Sequence, residues 1–299
     1  MDMKEILKDI HSDSVKNIIL DTDAYNEIDD QFTLAYALLS KDRVNILSVN
    51  AAPFLNSRSV SAEDGMIKSY NEIFKIIKLT DPSAHIPVYK GSASFLKSKT
   101  EPVDSEAADN IINTVMNSDK TIYIVAIGAI TNVASAIIKC PEVTKRCVLI
   151  WLGGHSLHSP DTHEFNLYQD VYAAQTVFDS QIPLIQIPCD GVCSEFITTV
   201  PELEYYLGGK NDLCNYLVDI VRDYSKGRYC YSKVIWDVTA LAVLVKPKTL
   251  EFVTIPTPIL NNGCRYSYDP SRHHYIYVRK IRRDPLYADL FGKLANKDN

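Results

Sequence analysis

Short apolar runs alternate with longer segments of helical periodicity along this chain. The runs, which predict strands buried on both faces, occupy residues 17–20, 44–49, 121–126, 148–151 and 182–187. Helices are predicted after residue 30, at 63–78 and at 131–139. This alternation predicts an α/β fold with an open, mostly parallel, Rossmann-like sheet and helices on both faces. Ligands of such folds bind at the carboxyl ends of the strands, where we expect the active site.

The chain shows no internal repeat, low-complexity segment or long Gly/Ser/Pro-rich linker, so we expect a single domain over residues 1–299. Near the C-terminus, a stretch rich in Tyr and basic residues at 266–283 has an alternating part at 274–279. We interpret it as a strand with a solvated basic end, followed by a terminal helix, in preference to a nucleic-acid-binding surface.

Composition sets limits on function and location. The 31 Lys and Arg against 37 Asp and Glu give a net charge of −6, which argues against a nucleic-acid partner. No apolar stretch reaches the roughly 18 residues of a membrane span, and residues 1–10 lack a signal-peptide core. The seven Cys are odd in number and dispersed, as in reduced proteins. We therefore expect a cytoplasmic protein without a membrane partner.

Four carboxylates cluster where the first strand ends. Asp21 and Asp23 follow the apolar run, and Asp29 and Asp30 open the next helix. Helix capping accounts for one Asp but not for four, which repel one another unless a cation lies among them. Because the intervening loop 24–28 contains no Lys or Arg, the pattern favours a hard divalent cation bound by oxygen.

Two later segments offer further polar side chains near predicted strand or helix ends. Glu164 and Asn166 follow a loop after the strand at 148–151, and Asp237 follows Trp236 just before the apolar helical run 238–245. Taken singly, these residues are also typical of turns, helix caps and core packing. Their position at the predicted sheet edge makes them candidates to complete the cation site.

Together these motifs resemble the inosine–uridine-preferring nucleoside hydrolase family. The resemblance is carried in order by Asp21-Thr22-Asp23 with Asp29-Asp30, by VAIGAITN at 125–132, by LGG at 152–154 with EFN at 164–166, and by Trp236-Asp237. It runs from about residue 18 to residue 245. Each motif is weak alone, but four in the same order are specific.

The resemblance implies a Ca²⁺-dependent enzyme that hydrolyses the N-glycosidic bond of ribonucleosides through an oxocarbenium-like transition state. The implied Ca²⁺ ligands are the carboxylates of Asp23, Asp30 and Asp237 and the backbone carbonyl of Ile127. Ribose hydroxyls and one water would complete the coordination, and Asp23 would act as general base toward that metal-activated water.

Substrate contacts follow from the same resemblance. Asp29, Glu164 and Asn166 would hold ribose hydroxyls, Asn56 is the candidate ribose ligand of the second loop, and Asp21 would support the site from behind. The expected partner is a small ribonucleoside. The family resemblance also implies a homo-oligomer, either a dimer or a tetramer.

The chain departs from the family pattern at four places, among them Ile127 in place of the usual Thr and APFLN at 52–56 in place of the usual Gly-Asn ending. The loop between Asp23 and Asp29 has five residues, 24–28, instead of the usual three. Trp236 stands where non-specific members carry a leaving-group His, and purine-preferring members similarly place Trp there to stack on the base. We therefore expect a preference for purine ribonucleosides, with core packing as the other interpretation of Trp236.

Two alternatives remain open from the sequence. One is a Mg²⁺-dependent phosphatase of the haloacid-dehalogenase type, in which Asp21 would be the nucleophile and Asp23 the acid/base. The other is a non-catalytic nucleoside- or ribose-binding protein that uses the same residues as a cage.

Overall fold

The computed structural model describes residues 2–296, which form twelve strands and eleven helices. The strands are β1 (Lys16–Thr22), β2 (Val44–Ala51), β3 (Val88–Lys90), β4 (Ile122–Ala126), β5 (Cys147–Leu152), β6 (Leu184–Ile187), β7 (Ile197–Thr198), β8 (Lys233–Val234), β9 (Leu250–Pro256), β10 (Ile259–Leu260), β11 (Tyr266–Ser267) and β12 (His274–Ile281). The helices are α1 (Met3–Ile10), α2 (Asp30–Leu38), α3 (Ala62–Thr80), α4 (Glu106–Met116), α5 (Thr131–Lys139), α6 (Phe165–Gln169), α7 (Val171–Asp179), α8 (Val200–Leu207), α9 (Asp212–Tyr224), α10 (Val238–Val245) and α11 (Arg283–Leu294).

Eight strands form one sheet in the order β3-β2-β1-β4-β5-β6-β12-β9. Neighbouring strands are parallel except for the β12–β9 pair at one edge, which is antiparallel. The predicted mostly parallel α/β sheet is therefore confirmed. The five predicted apolar runs correspond to β1, β2, β4, β5 and β6, and the alternating C-terminal segment is β12, followed by the expected terminal helix α11.

Helices cover both faces of the sheet because its central strands are apolar on both sides. In β1, Ile18 and Leu20 contribute to a core shared with α2, α3 and α8–α11, whereas Ile19 contributes to a second core shared with α4, α5 and α7. Alternate side chains of one strand thus enter opposite cores, as the period of two along a strand requires.

The sheet order creates a crevice at the carboxyl end of β1. The chain passes from β1 outward to β2 and β3 and then returns to β4 on the other side of β1, which makes the β1/β4 boundary a topological switch point. The Ile127 amide donates to the Asp21 carbonyl at 2.9 Å and joins the two strands just before they diverge. Polar residues that follow these two strands therefore lie at the natural ligand-binding position of the fold.

A search of the described residues finds no helix both long and apolar enough to cross a membrane. All seven cysteines are free thiols.

Candidate active site

A cavity of about 340 Å³ lies at this edge of the sheet. Nine of the residues predicted from the sequence line it together: Asp23, Asp29, Asp30, Asn56, Ile127, Glu164, Asn166, Trp236 and Asp237. They come from segments that follow β1, β2, β4 and β5 and from the start of α10. The structure thus brings together residues that are more than 200 positions apart in the sequence.

Three carboxylates at one end of the cavity are spaced as ligands of a single cation. Asp29, Asp30 and Asp237 are buried, and one oxygen of each lies within 4.8 Å of the others. Two Ca²⁺–oxygen bonds of about 2.4 Å span at most about 4.8 Å, so the spacing fits one ion of this size. The Thr22 hydroxyl donates to Asp30 at 2.5 Å and orients that carboxylate.

Asp23 lies beside this group but is not one of the three carboxylates whose oxygens lie within 4.8 Å of one another. Both of its carboxylate oxygens are buried and lack a hydrogen-bond partner in the described structure. A buried carboxylate without a donor is costly, so such a group calls for a cation or a polar ligand. The acidic residue types and the orphaned oxygens both fit a hard divalent cation.

Burial and mutual repulsion perturb the ionisation of these acids. Burial, with the charge of Asp29, raises the pKa of Asp30 to about 7, and burial raises that of Asp29 to about 6. The pKa values of Asp23 and Asp237 lie well above the ordinary range, because burial adds to repulsion from neighbouring carboxylates. A divalent cation would remove this repulsion and restore the ionised forms.

Gly128 allows the Asp23 carboxylate to approach the turn after β4. A Cβ at residue 128 would lie 2.9 Å from Asp23 Cγ and 3.0 Å from Asp23 Oδ1, which is too close for ordinary contact. It would also lie 3.2 Å from the Cβ of Ala52. The glycine therefore sets the position of Asp23, and the turn between strand and helix must lack a side chain here.

Asp21 lies behind the cavity and is not among the residues lining it. Its Oδ2 accepts from Asn132 Nδ2 at 2.9 Å, while Asn132 Oδ1 accepts from the backbone amide and hydroxyl of Ser92. Burial raises the pKa of Asp21 to about 7, although the Asn132 hydrogen bond opposes the shift. This placement agrees with a supporting function for Asp21.

Glu164 caps α6 and is held by backbone donors. Its Oε2 accepts from the amides of Gly154 at 2.8 Å and Leu167 at 3.0 Å, and its Oε1 accepts from the amide of Asn166 at 2.9 Å. The position of Glu164 at the N-cap of α6 and its hydrogen bonds to three backbone amides explain why a charged side chain is buried here. The carboxylate is thereby fixed at the wall of the cavity.

Asn166 has one possible orientation of its side-chain amide. Nδ2 donates to the backbone carbonyls of Ile127 at 3.2 Å and Leu152 at 3.0 Å. Since two carbonyls can only accept, Nδ2 must face them, and Oδ1 remains as an acceptor. The same bonds bring the Ile127 carbonyl, a predicted cation ligand, beside the sugar-binding candidate.

The side chains of Asn56 and Trp236 differ in how much of each is available to a ligand in the cavity. Asn56 lines the cavity, but its Nδ2 donates to Asn26 Oδ1 at 2.6 Å and its Oδ1 accepts from the Arg58 amide at 2.8 Å. Both ends of its amide are thus engaged within loops. Trp236 is half-buried at the cavity wall, where it touches the edge of the core and leaves part of its surface open to the cavity.

Other lining residues were not predicted as site residues from the sequence, among them Glu27, Arg58, His155 and Cys189. The expectation that no basic residue neutralises the first acidic cluster also needs correction. Lys233, from β8, places its Nζ 2.6 Å from Glu27 Oε2 and 3.6 Å from Asp29 Oδ1. The only feature of the sequence that points to Lys233 as a site residue is its position four residues before Asp237.

Fold and site together define an α/β protein with an acidic cluster that could hold a cation at the switch point of a mostly parallel sheet. Comparison with protein families identifies it further: the chain belongs to the inosine–uridine preferring nucleoside hydrolase family, whose model matches residues 18–279. The resemblance inferred from the motifs is confirmed.

Individual relatives are more distant. The chain is similar to an uncharacterised protein of Schizosaccharomyces pombe, with 40% identity over 92 residues that cover 29% of this chain and 30% of the relative. It is also similar to the inosine-uridine preferring nucleoside hydrolase of Crithidia fasciculata, with 26% identity over 182 residues and 58% of each chain covered. The matches thus span less than two thirds of these relatives.

Among solved structures, the purine-preferring ribonucleoside hydrolase from Gardnerella vaginalis has the same fold. The TM-score is 0.76 at 18% identity, with 94% of this chain and 98% of the other covered. The phosphatase alternative is contradicted by the family match and by Asp21, the proposed nucleophile, which lies buried behind the cavity.

Proposed function

We propose that this protein hydrolyses the N-glycosidic bond of ribonucleosides to ribose and free base, with Ca²⁺ as cofactor. The observation that carries the proposal is the unpartnered Asp23 carboxylate beside the Asp29, Asp30 and Asp237 group, in a cavity that also holds Glu164. The cavity volume of about 340 Å³ falls in the range of small-molecule sites. Family membership supports the same activity.

Asp30 and Asp237 of the acidic group would hold the cation together with Asp23 and the Ile127 carbonyl, whereas Asp29, the third member of that group, would bind the sugar. A divalent cation held there would lower the pKa of a nearby water and would attract ribose hydroxyls. Asp23 takes the proton of the attacking water as general base, since its carboxylate has no competing hydrogen-bond donor. The Gly128 turn keeps that carboxylate in place.

The other polar residues bind the sugar. Asp29 accepts a hydrogen bond from one ribose hydroxyl, and Asn166 accepts another through Oδ1, its only free atom. Glu164, fixed by three backbone amides, presents its remaining acceptor capacity to a third hydroxyl. The negative charges around the sugar favour the positive charge that develops on the ring in an oxocarbenium-like transition state.

Trp236 supports a preference for purines. Its half-buried ring lines the cavity next to Asp237, so it can stack on a flat base. A purine offers the larger stacking surface and, once stacked, a more basic imidazole ring that can be protonated as the base leaves. The Gardnerella protein with the same fold is named purine-preferring.

A panel of purine and pyrimidine ribonucleosides, assayed with Ca²⁺ and with chelator, tests the proposal. We expect release of free base and ribose with Ca²⁺ and loss of turnover with chelator. Absence of turnover for every nucleoside at high enzyme concentration would overturn the hydrolase proposal. Asp23→Asn should abolish turnover while some ribonucleoside binding remains, and unchanged turnover would remove Asp23 as the base.

Cation identity can be followed without turnover. Trp236 lies in the same cavity as the acidic group, so energy transfer from Trp should excite bound Tb³⁺. Ca²⁺ should displace Tb³⁺ and quench the emission, and failure of Ca²⁺ to compete would refute the calcium assignment. The single domain, the cytoplasmic location and the homo-oligomer stay predictions.

A further inference from the structure

A buried lysine lies next to the carboxylates of the cavity. Lys233 is 3% exposed, and its Nζ donates to Glu27 Oε2 at 2.6 Å and to the Val234 carbonyl at 2.8 Å. Asp29 Oδ1 lies 3.6 Å from the same Nζ. Tyr224 donates from its hydroxyl to the other Glu27 oxygen at 2.7 Å, which fixes Glu27 from the end of α9.

These contacts keep the Lys233 ammonium and the Glu27 carboxylate charged. Burial alone would lower the pKa of Lys233, but the carboxylates of Asp29 and Glu27 raise it above its usual value. Burial alone would raise the pKa of Glu27, but the charge and hydrogen bond of Lys233 lower it. A buried ammonium is tolerated only when carboxylates pair with it, so this side of the cavity requires the pairing of Lys233 with Glu27 and Asp29.

We propose that Lys233 is a positioning residue that holds Asp29 in place to bind the ribonucleoside, an inference that rests on the proposed function. Asp29 is attracted by Lys233 and repelled by the carboxylates of Glu27, Asp30 and Asp237, and a backbone hydrogen bond from Asp237 also holds it. The balance of these forces sets where its carboxylate lies. Lys233 itself is not among the residues lining the cavity, so it acts on substrate through Asp29.

The long loop after Asp23 supplies Lys233 with its second carboxylate partner, Glu27. Glu27 belongs to that five-residue loop, 24–28, and its backbone carbonyl accepts from Arg58 at 2.8 Å. Glu27 supplies Lys233 with a carboxylate outside the group formed by Asp29, Asp30 and Asp237. The ammonium is thereby held by a carboxylate outside that group while remaining near Asp29.

The test compares Lys233→Met with wild type for KM and kcat on ribonucleosides and for Ca²⁺ affinity by calorimetry. We expect KM to rise about tenfold, kcat to change less than about threefold, and Ca²⁺ affinity to stay within about threefold. Lys233→Arg, which keeps the charge, should recover most of the loss. Lys41→Met, at an exposed ion pair with Asp81, is the matched control and should leave KM unchanged.

A double-mutant cycle decides whether Lys233 acts through Asp29. In an Asp29→Asn background, Lys233→Met should change KM by less than about twofold, and a full tenfold effect there would overturn the proposal. Unchanged KM in the single variant, or a loss not recovered by Lys233→Arg, would also overturn it. If Lys233→Met does not fold, Lys233→Gln, which keeps a donor for Val234, carries the same expectation.

Failure of the proposed function is distinguishable from failure of this inference. If wild type hydrolyses no ribonucleoside, the hydrolase proposal fails, and the dissociation constant of a ribonucleoside measured by calorimetry replaces KM in every comparison. An active wild type with an unaffected Lys233→Met variant refutes only the function of Lys233.

Discussion

Replacing Gly128 by Ala tests whether the position of Asp23 sets the rate. The new Cβ would lie 2.9 Å from Asp23 Cγ, whereas carbon atoms in contact are about 3.5–4.0 Å apart. The Asp23 carboxylate and the turn must therefore separate by roughly 0.6–1 Å, and the Cβ of Ala52, 3.2 Å from the new Cβ, crowds the same position. The backbone at residue 128 is not left-handed, so Ala adds no strain of its own.

A displacement of this size has a large catalytic effect. A misplacement of about 1 Å costs on the order of 100-fold in rate, which corresponds to about 2.7 kcal/mol in the activation barrier. We expect Gly128→Ala to lower kcat between about 10-fold and 100-fold and to weaken Ca²⁺ binding, since Asp23 is also a proposed ligand. Steady-state hydrolysis of a purine ribonucleoside and Ca²⁺ calorimetry measure the two effects.

The matched control is Gly263→Ala. A Cβ there meets its nearest atom, Asn261 Oδ1, at 3.4 Å, which is ordinary contact, and the residue is remote from the cavity lining. Its kinetics should equal those of wild type. If folded Gly128→Ala, verified by circular dichroism, keeps kcat within about threefold of wild type, the argument that Asp23 requires this position is refuted.

Three further predictions concern the base, the cation and the sugar wall. Trp236→Ala should reduce kcat/KM more for purine than for pyrimidine ribonucleosides, and equal losses would contradict base stacking. Burial raises the pKa of Asp21 and Asp30 to about 7, above about 3.9 when unfolded, so their contribution to stability is present at low pH and lost as pH rises through 7. Chelated protein should therefore have a higher Tm at pH 5 than at pH 8, and Ca²⁺ should remove most of this difference; a Tm that instead rises with pH in chelator would contradict it. Glu164→Gln should lower the free energy of unfolding by about 1–3 kcal/mol, because a backbone amide that donates to the carboxylate would then face an NH₂ group. A denaturant midpoint of Glu164→Gln equal to that of wild type would contradict the stabilising effect of these backbone hydrogen bonds.

The central strands were predictable because their apolar runs are unbroken. Strands β4 and β5 are buried at every position, and such short, continuous apolar runs are typical of parallel strands covered on both faces. Strand β3, with three half-buried or exposed residues, and the edge strand β9 have weak patterns and were not predicted. Their pairing depends on neighbours distant in sequence, which composition does not reveal.

Acidic site residues were predictable for a related reason. Asp23 and Asp30 flank a strand end and a helix start, two places whose position follows from local pattern. Lys233 was not, because its pairing with Glu27 joins residues 206 positions apart. The hydrogen bond from the Asn56 amide nitrogen to Asn26 is equally invisible, since it depends on how two loops meet.

The separation of the carboxylates along the chain has a consequence for how the protein is made. Asp30 and Asp237 stand 207 residues apart, yet their oxygens lie within 4.8 Å. A nascent chain therefore has no complete cation site until α10 emerges and docks beside the end of β1. Contacts between residues so far apart in sequence form late in folding, because closing the long intervening segment costs conformational entropy. A cation bound there would slow the unfolding of the finished fold and would have little effect on the rate of folding.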